Sequence, residues 1–204
     1  MNKEIELLKK MITVVDSYRI NLFLSVKHVD NEIEQVKLKD EIKKEWKRIR
    51  EKMVKIANAS LNVPLLKKIA KIRELLRFVV WSIVFLAFAT FMFTIITSIG
   101  DFSIIWITAS IALLILMALE PIFNYAIAKS VEKYYLENAQ RFEGTKHQLK
   151  IFAQQLIYTL KEEMQKAKES FEDNPIKIYN IDYQRIKVKK NPALWRRHYV
   201  ITIS

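Results

Sequence analysis

Two uninterrupted apolar runs dominate the alternation of hydrophobic and polar positions. Residues 78–100, FVVWSIVFLAFATFMFTIITSIG, carry no charged side chain, and a second run, SIIWITASIALLILMAL, leads from Ser103 to Glu120. A bilayer core takes about 20 apolar residues at the helical rise, so the pattern predicts two spans, residues 78–100 and about 103–127. Only Gly100, Asp101 and Phe102 separate them, which predicts an antiparallel hairpin over residues 78–128. Lys67, Lys68, Lys71, Arg73 and Arg77 precede it and Lys129 and Lys133 follow it, whereas the turn carries only Asp101. By the positive-inside rule both termini are expected in the cytoplasm.

On either side the period is helical. Ile5, Leu8, Ile12 and Val15 form one stripe, Val26, Val29, Ile33 and Val36 a second, and Ile42, Trp46, Ile49, Met53 and Ile56 a third. The phase slips between them, so residues 1–64 are expected to be several packed helices or an interrupted coiled coil, with breaks at Asp30-Asn31 and Lys39-Asp40. Residues 65–77, LLKKIAKIRELLR, are amphipathic. They fit an interfacial helix lying among the head groups, or a straight extension of the first span. After Lys129 a helix is expected to run to a break at Gly144. Beyond it Ala153, Ile157, Leu160, Met164, Ala167 and Phe171 form a stripe that needs a partner, either the N-terminal helices or a second subunit. Ile157, Leu160, Met164 and Phe171 are therefore candidate oligomer contacts.

From Pro175 the period drops to two. Ile176/Ile178, Ile181/Tyr183, Ile186/Val188 and Tyr199/Ile201/Ile203 alternate with polar residues, and Asn191-Pro192 reads as a turn. The predicted architecture is an all-α membrane protein: cytoplasmic helices (1–64 and 129–172) around a two-helix transmembrane hairpin, with a small β hairpin or meander over 173–204.

Composition narrows the chemistry. Of 204 residues only two are glycine, none is cysteine, and the net charge is +12. Phosphate-cradling glycine loops and disulfides are thereby excluded. His28, His147 and His198 lie in separate segments without metal-ligand spacing, so no metal and no cofactor is expected. The positive charge suits anionic lipid head groups, with nucleic acid less favoured. Lys67, Lys68, Lys71 and Arg73 are candidate anion contacts. Trp195, Arg196 and Arg197 form a second such cluster, near Lys187, Lys189 and Lys190.

Within the hairpin, Ala87, Thr90, Thr94 and Thr97 make a small-residue stripe suited to close helix contact. Ser103, Ser110 and Asn124, with Glu120 beside them, mark the more polar face of the second span. A carboxylate inside a span is costly. Glu120 either lines a water-filled path through an assembly, together with Ser103, Ser110 and Asn124, or snorkels to the interface and pairs with Arg77 or Lys129 near Pro121.

In layout, two spans joined by a minimal turn between long helices, with the segment Tyr134–Phe142 leading into an amphipathic helix, the chain resembles the SLATT class of two-span effectors of prokaryotic conflict systems. That resemblance implies membrane pores. Separately, Arg141 and His147 have the loose Arg–His spacing of HEPN-type ribonucleases, which implies an RNA-cleaving alternative. The residues themselves favour a non-enzymatic, oligomeric membrane anchor, scaffold or accessory subunit, with a pore-forming effector as the alternative.

Overall fold

The computed structural model describes residues 2–36, 38–97, 103–193 and 195–204. The turn at Gly100–Phe102 and the side chains of Thr94, Thr97 and Ser103 lie outside that description. Six α-helices and three strands occur in it: α1 (Lys3–Arg19), α2 (Lys27–Gln35), α3 (Asp40–Ala59), α4 (Pro64–Thr97), α5 (Ser103–Glu137), α6 (Ala139–Ala167), β1 (Ile176–Ile178), β2 (Ile186–Lys190) and β3 (Tyr199–Ile203), with a short 3-10 turn at Ser60–Asn62. They form two compact units, residues 1–59 with 138–204, and residues 60–137.

The first unit is built around α1. Its N-terminus is capped by the Asn2 side chain, which accepts from the Glu4 amide at 3.0 Å. Ten of its residues are buried, on more than one face, because α2, α3, α6 and β1 all pack against it. α1 is thus the partner of the α6 stripe. Ala153, Ile157 and Leu160 are fully buried and Met164 nearly so. This corrects the expectation that Ile157, Leu160 and Met164 mediate a subunit contact: they are core. Phe171 is not on the helix at all, because α6 ends at Ala167. There Lys168 takes a left-handed conformation (φ 53°), and the amides of Lys168 and Glu169 return to the Gln165 and Met164 carbonyls. The turn beyond it carries Phe171, whose ring faces the Lys161 ammonium at 5.9 Å.

Two expected breaks move. Asp30 lies inside α2, where its carboxylate accepts from Trp46 Nε1 (2.9 Å) and Arg50 Nε (2.7 Å) on α3. The interruption comes earlier, after Arg19, where Asn21 adopts φ 61°. Asn tolerates that left-handed state, and so ends a helix much as glycine does. The break before Asp40 stands as expected. Gly144 does not break the helix: α6 runs through it, and the interruption falls at Asn138. Phe152 of α6 packs on Trp46 of α3, ring centroids 6.5 Å apart.

The sheet has the order β1-β3-β2, both pairings antiparallel, with Ile176 opposite Ile201 and Ile186 opposite Ile203. β2 and β3 are the expected hairpin. β1, however, lies on the far edge of β3, so the three strands are no simple meander. Ile176, Ile178, Ile201 and Ile203 are buried, and the Thr13 hydroxyl of α1 donates to the Lys177 carbonyl at 2.7 Å. Ile181 and Tyr183 lie in coil, and the lysine-rich β2 remains an exposed edge, a composition that discourages pairing with another chain.

The second unit is a helical hairpin. α4 and α5 have 34 and 35 residues, about 50 Å each at the helical rise, well beyond the roughly 30 Å of a hydrocarbon core. Residues 65–77 are the first part of α4 and not a separate interfacial helix: the straight extension is the course taken. On α4 the residues turned away from solvent include Leu66, Arg73, Val80 and Ala87, seven apart; on α5 they include Ala109, Leu116, Phe123 and Ser130. That seven-residue seam is the signature of a coiled-coil pair, and small Ala87 and Ala109 allow close approach. Phe91 and Trp106 meet edge to face, centroids 5.3 Å apart. The remaining faces are apolar and open: only 11% of each span-length window is buried.

Candidate functional site

Four arrangements carry polar chemistry, and each follows from local sequence. The first is unforeseen. Asp16 continues the α1 stripe one turn beyond Ile12, so a carboxylate enters the core with no exposure. It is satisfied there by the chain near its C-terminus: the amides of Tyr179 and Asn180, the Asn180 side-chain amide (2.7 Å), the Tyr183 hydroxyl and Arg19 (3.3 Å) all donate to it. Burial, and then the Asp16 charge, push the Tyr183 phenol far above its ordinary range, so it remains a donor. The guanidinium of Arg19 forks onto Asp182 at 2.8 and 2.6 Å and lies 5.1 Å from the Tyr183 ring. The only sequence signal was an acid in phase with an apolar stripe, three residues before an arginine.

Beside it, Arg19, Glu143, Lys146, His147, Lys150, Asn180 and Asp182 line an open cleft of about 270 Å³. Lys150 pairs with Asp182 at 2.8 Å. The Arg19 hydrogen bonds, aided by Lys150, hold the Asp182 carboxyl well below the carboxylate range. Burial, and then the Arg19 charge, hold Lys146 below the usual lysine range. Three cations face two acids in the cleft, and Asp182 pairs with both Arg19 and Lys150, so its arrangement is that of an ion-pair network with a residual positive charge. Arg141 does not join it. Six residues from His147 on one helix, it sits about 120° away round the axis, and its guanidinium lies 5.9 Å from the Phe142 ring. The ribonuclease alternative thus finds no assembled Arg–His pair among the described residues.

The third arrangement is at Glu120. Its carboxylate accepts from both Arg73 (Nε 3.0 Å) and Arg77 (Nε 3.3 Å) across the hairpin. Arg77 was one expected partner; Arg73, read as a head-group contact, is the other, because it lies seven residues before Val80 on the seam facing α5. Pro121 does not end α5, which continues to Glu137. Ser110 and Asn124 are exposed on α5, and Ser103 begins that helix. Lys67, Lys68 and Lys71 are exposed on α4, free of ion pairs among the described residues.

The fourth is the β2–β3 connection. Ala193 and Arg196 exchange both backbone hydrogen bonds (2.8 and 2.9 Å), closing a tight turn that carries Trp195, 96% exposed. Arg196 is half-buried and donates to the Asn191 carbonyl, which fixes the turn, while Arg197 is exposed. His198 meets the Tyr179 ring edge to face, and burial, then Lys177 and Arg196, hold it below its ordinary value.

No group of three or more metal-ligating side chains converges among the described residues. Compared with protein-family models, curated proteins and solved structures, the chain matches none.

Proposed function

We propose that the chain is a two-span membrane protein whose hairpin anchors a basic helical module and its small sheet at the cytoplasmic face, as a non-enzymatic scaffold or accessory subunit. The observation that carries the reading is the hairpin surface. Outside one narrow seam, the α4 and α5 residues Phe78, Trp81, Phe85, Phe88, Ile104, Ile107, Ile111 and Leu114 are large, apolar and exposed. Contiguous apolar surface of that extent is costly in water and suited to lipid.

Glu120 supports the anchor over the pore. A carboxylate neutralised by two arginines of its own hairpin stitches the two helices together near the interface, and is not an unpaired charge awaiting a channel. The pore that the SLATT likeness implies would instead place Ser110 and Asn124, which remain exposed, along a shared path.

The test is reconstitution of the full chain in dye-loaded vesicles. The protein should resist alkaline carbonate extraction, leave the dye enclosed, and, as an Asp101→Cys or Ser204→Cys variant, react with an impermeant maleimide from opposite faces. Extraction by carbonate would overturn the membrane reading. Dye release that changes selectivity in Glu120→Gln would replace the anchor by a pore.

A further inference from the structure

We propose that the β2–β3 turn is a second membrane contact, a finger that sets Trp195 into the interface of an anionic leaflet while the surrounding cations engage its head groups. The inference rests on the membrane-anchored reading.

Three observations converge. From Tyr183 to Ser204 the chain has no acidic residue and six basic ones, Arg185, Lys187, Lys189, Lys190, Arg196 and Arg197. All but Arg196 are exposed, and the edge strand β2 supplies three of them. Trp195 is 96% exposed, on a turn closed by the paired backbone bonds of Ala193 and Arg196 and by the Arg196 bond to Asn191. A large apolar ring on such a turn packs on little among the described residues of its own chain. Indole favours the boundary between head groups and hydrocarbon, and Lys and Arg beside it favour an anionic surface.

The alternative occupant is single-stranded nucleic acid, which the same cations would attract. Such sites offer a succession of exposed rings for stacked bases. Among the described residues of this turn only Trp195 offers a fully exposed ring: Tyr199 is half-buried and His198 meets the Tyr179 ring edge to face. A bilayer, moreover, is tethered to this chain by its hairpin. A tethered surface is presented at high effective concentration, so a weak individual contact suffices.

The chain contains no cysteine, so one introduced thiol reports from one place. Ala193→Cys, exposed and beside the tip, would be labelled with an environment-sensitive fluorophore in the full chain, reconstituted in vesicles of phosphatidylcholine alone or with phosphatidylserine. The expected result is a blue shift and protection from an aqueous quencher only with phosphatidylserine, reversed by high salt. In the same background Trp195→Ala should abolish the shift, and Arg197→Gln should lower the docked-to-free ratio about fivefold, as for one cation at an anionic surface. Both side chains are exposed, and an unchanged circular dichroism spectrum confirms that the variants fold. Equal emission in the two lipids, or a shift that survives both substitutions, overturns the finger. So does a larger shift on adding a single-stranded oligonucleotide to phosphatidylcholine vesicles. A chain that remains in the membrane after carbonate extraction yet shows no lipid-dependent shift disproves the finger alone; a chain that is extracted disproves the anchor beneath it.

Discussion

Asp16 joins α1 to the segment Tyr179–Tyr183 through a single carboxylate, and its complete burial makes it sensitive to substitution. Five donors from Arg19 and from Tyr179–Tyr183 converge on it. Asp16→Ala leaves them facing apolar side chains, and the loss of one partner from a buried charged network costs about 3–5 kcal/mol. Thermal melting of the full chain in detergent should show a midpoint lowered by on the order of 10 °C; a change of a degree or two would show that the network is replaceable by water. Asp182 behaves differently because it is partly exposed. Its carboxyl titrates below the ordinary range when folded, chiefly through Arg19, whereas in the unfolded chain it titrates near pH 4. The folded state thus binds fewer protons in that window, so the stabilisation is full above about pH 4 and fades as pH falls below it. Such a pair contributes about 0.5–1 kcal/mol. The melting difference between the protein and Asp182→Asn should therefore be present at pH 7 and shrink toward pH 3. An equal difference at both values would assign the effect to something other than the ion pair.

Helix ends are where the elements depart most from what periodicity predicts. Gly144 looks like a breaker, but it lies on the exposed face of α6, and a Cβ added there would meet nothing within 4 Å. Packing of Phe142 and Leu149 on either side into the core outweighs the cost of about 1 kcal/mol for glycine in a helix. Gly144→Ala should therefore stabilise the protein by about 0.5–1 kcal/mol, read as a rise of a few degrees in the melting midpoint. A fall would mean that the glycine is needed for a bend. By contrast, the actual ends at Arg19 and Ala167 use left-handed Asn21 and Lys168. Asn21 was a readable cap signal, but a lysine in that conformation carries none.

At the scale of the whole molecule, the hairpin splits the chain, and the parts on either side of it return to one core. The α6 stripe illustrates the consequence. Its period shows that one face must be covered, and either α1 or a second subunit satisfies that equally well in sequence; here α1 covers it, leaving Ile157 and Leu160 with no exposure. The same holds for charge. Arg73 among Lys67, Lys68 and Lys71 reads as one more head-group contact until the hairpin register places it opposite Glu120.

The sequence by itself determined the features that depend on local periodicity: two apolar helices of spanning length, three stripes in the N-terminal region, the change to strands after Pro175, and a basic, aromatic tail. Those follow from which side chains recur every 3.6 or every two residues, and need no knowledge of what lies opposite. Only the tertiary structure decided the pairings: α1 against α6, β1 beside β3, Asp16 beneath Tyr179–Tyr183, and Glu120 between Arg73 and Arg77. Each joins residues more than 20 positions apart, the nearest being Ile178 and Tyr199. A periodic pattern states that a face is to be buried or a charge compensated, but the partner is selected by how the whole chain closes on itself.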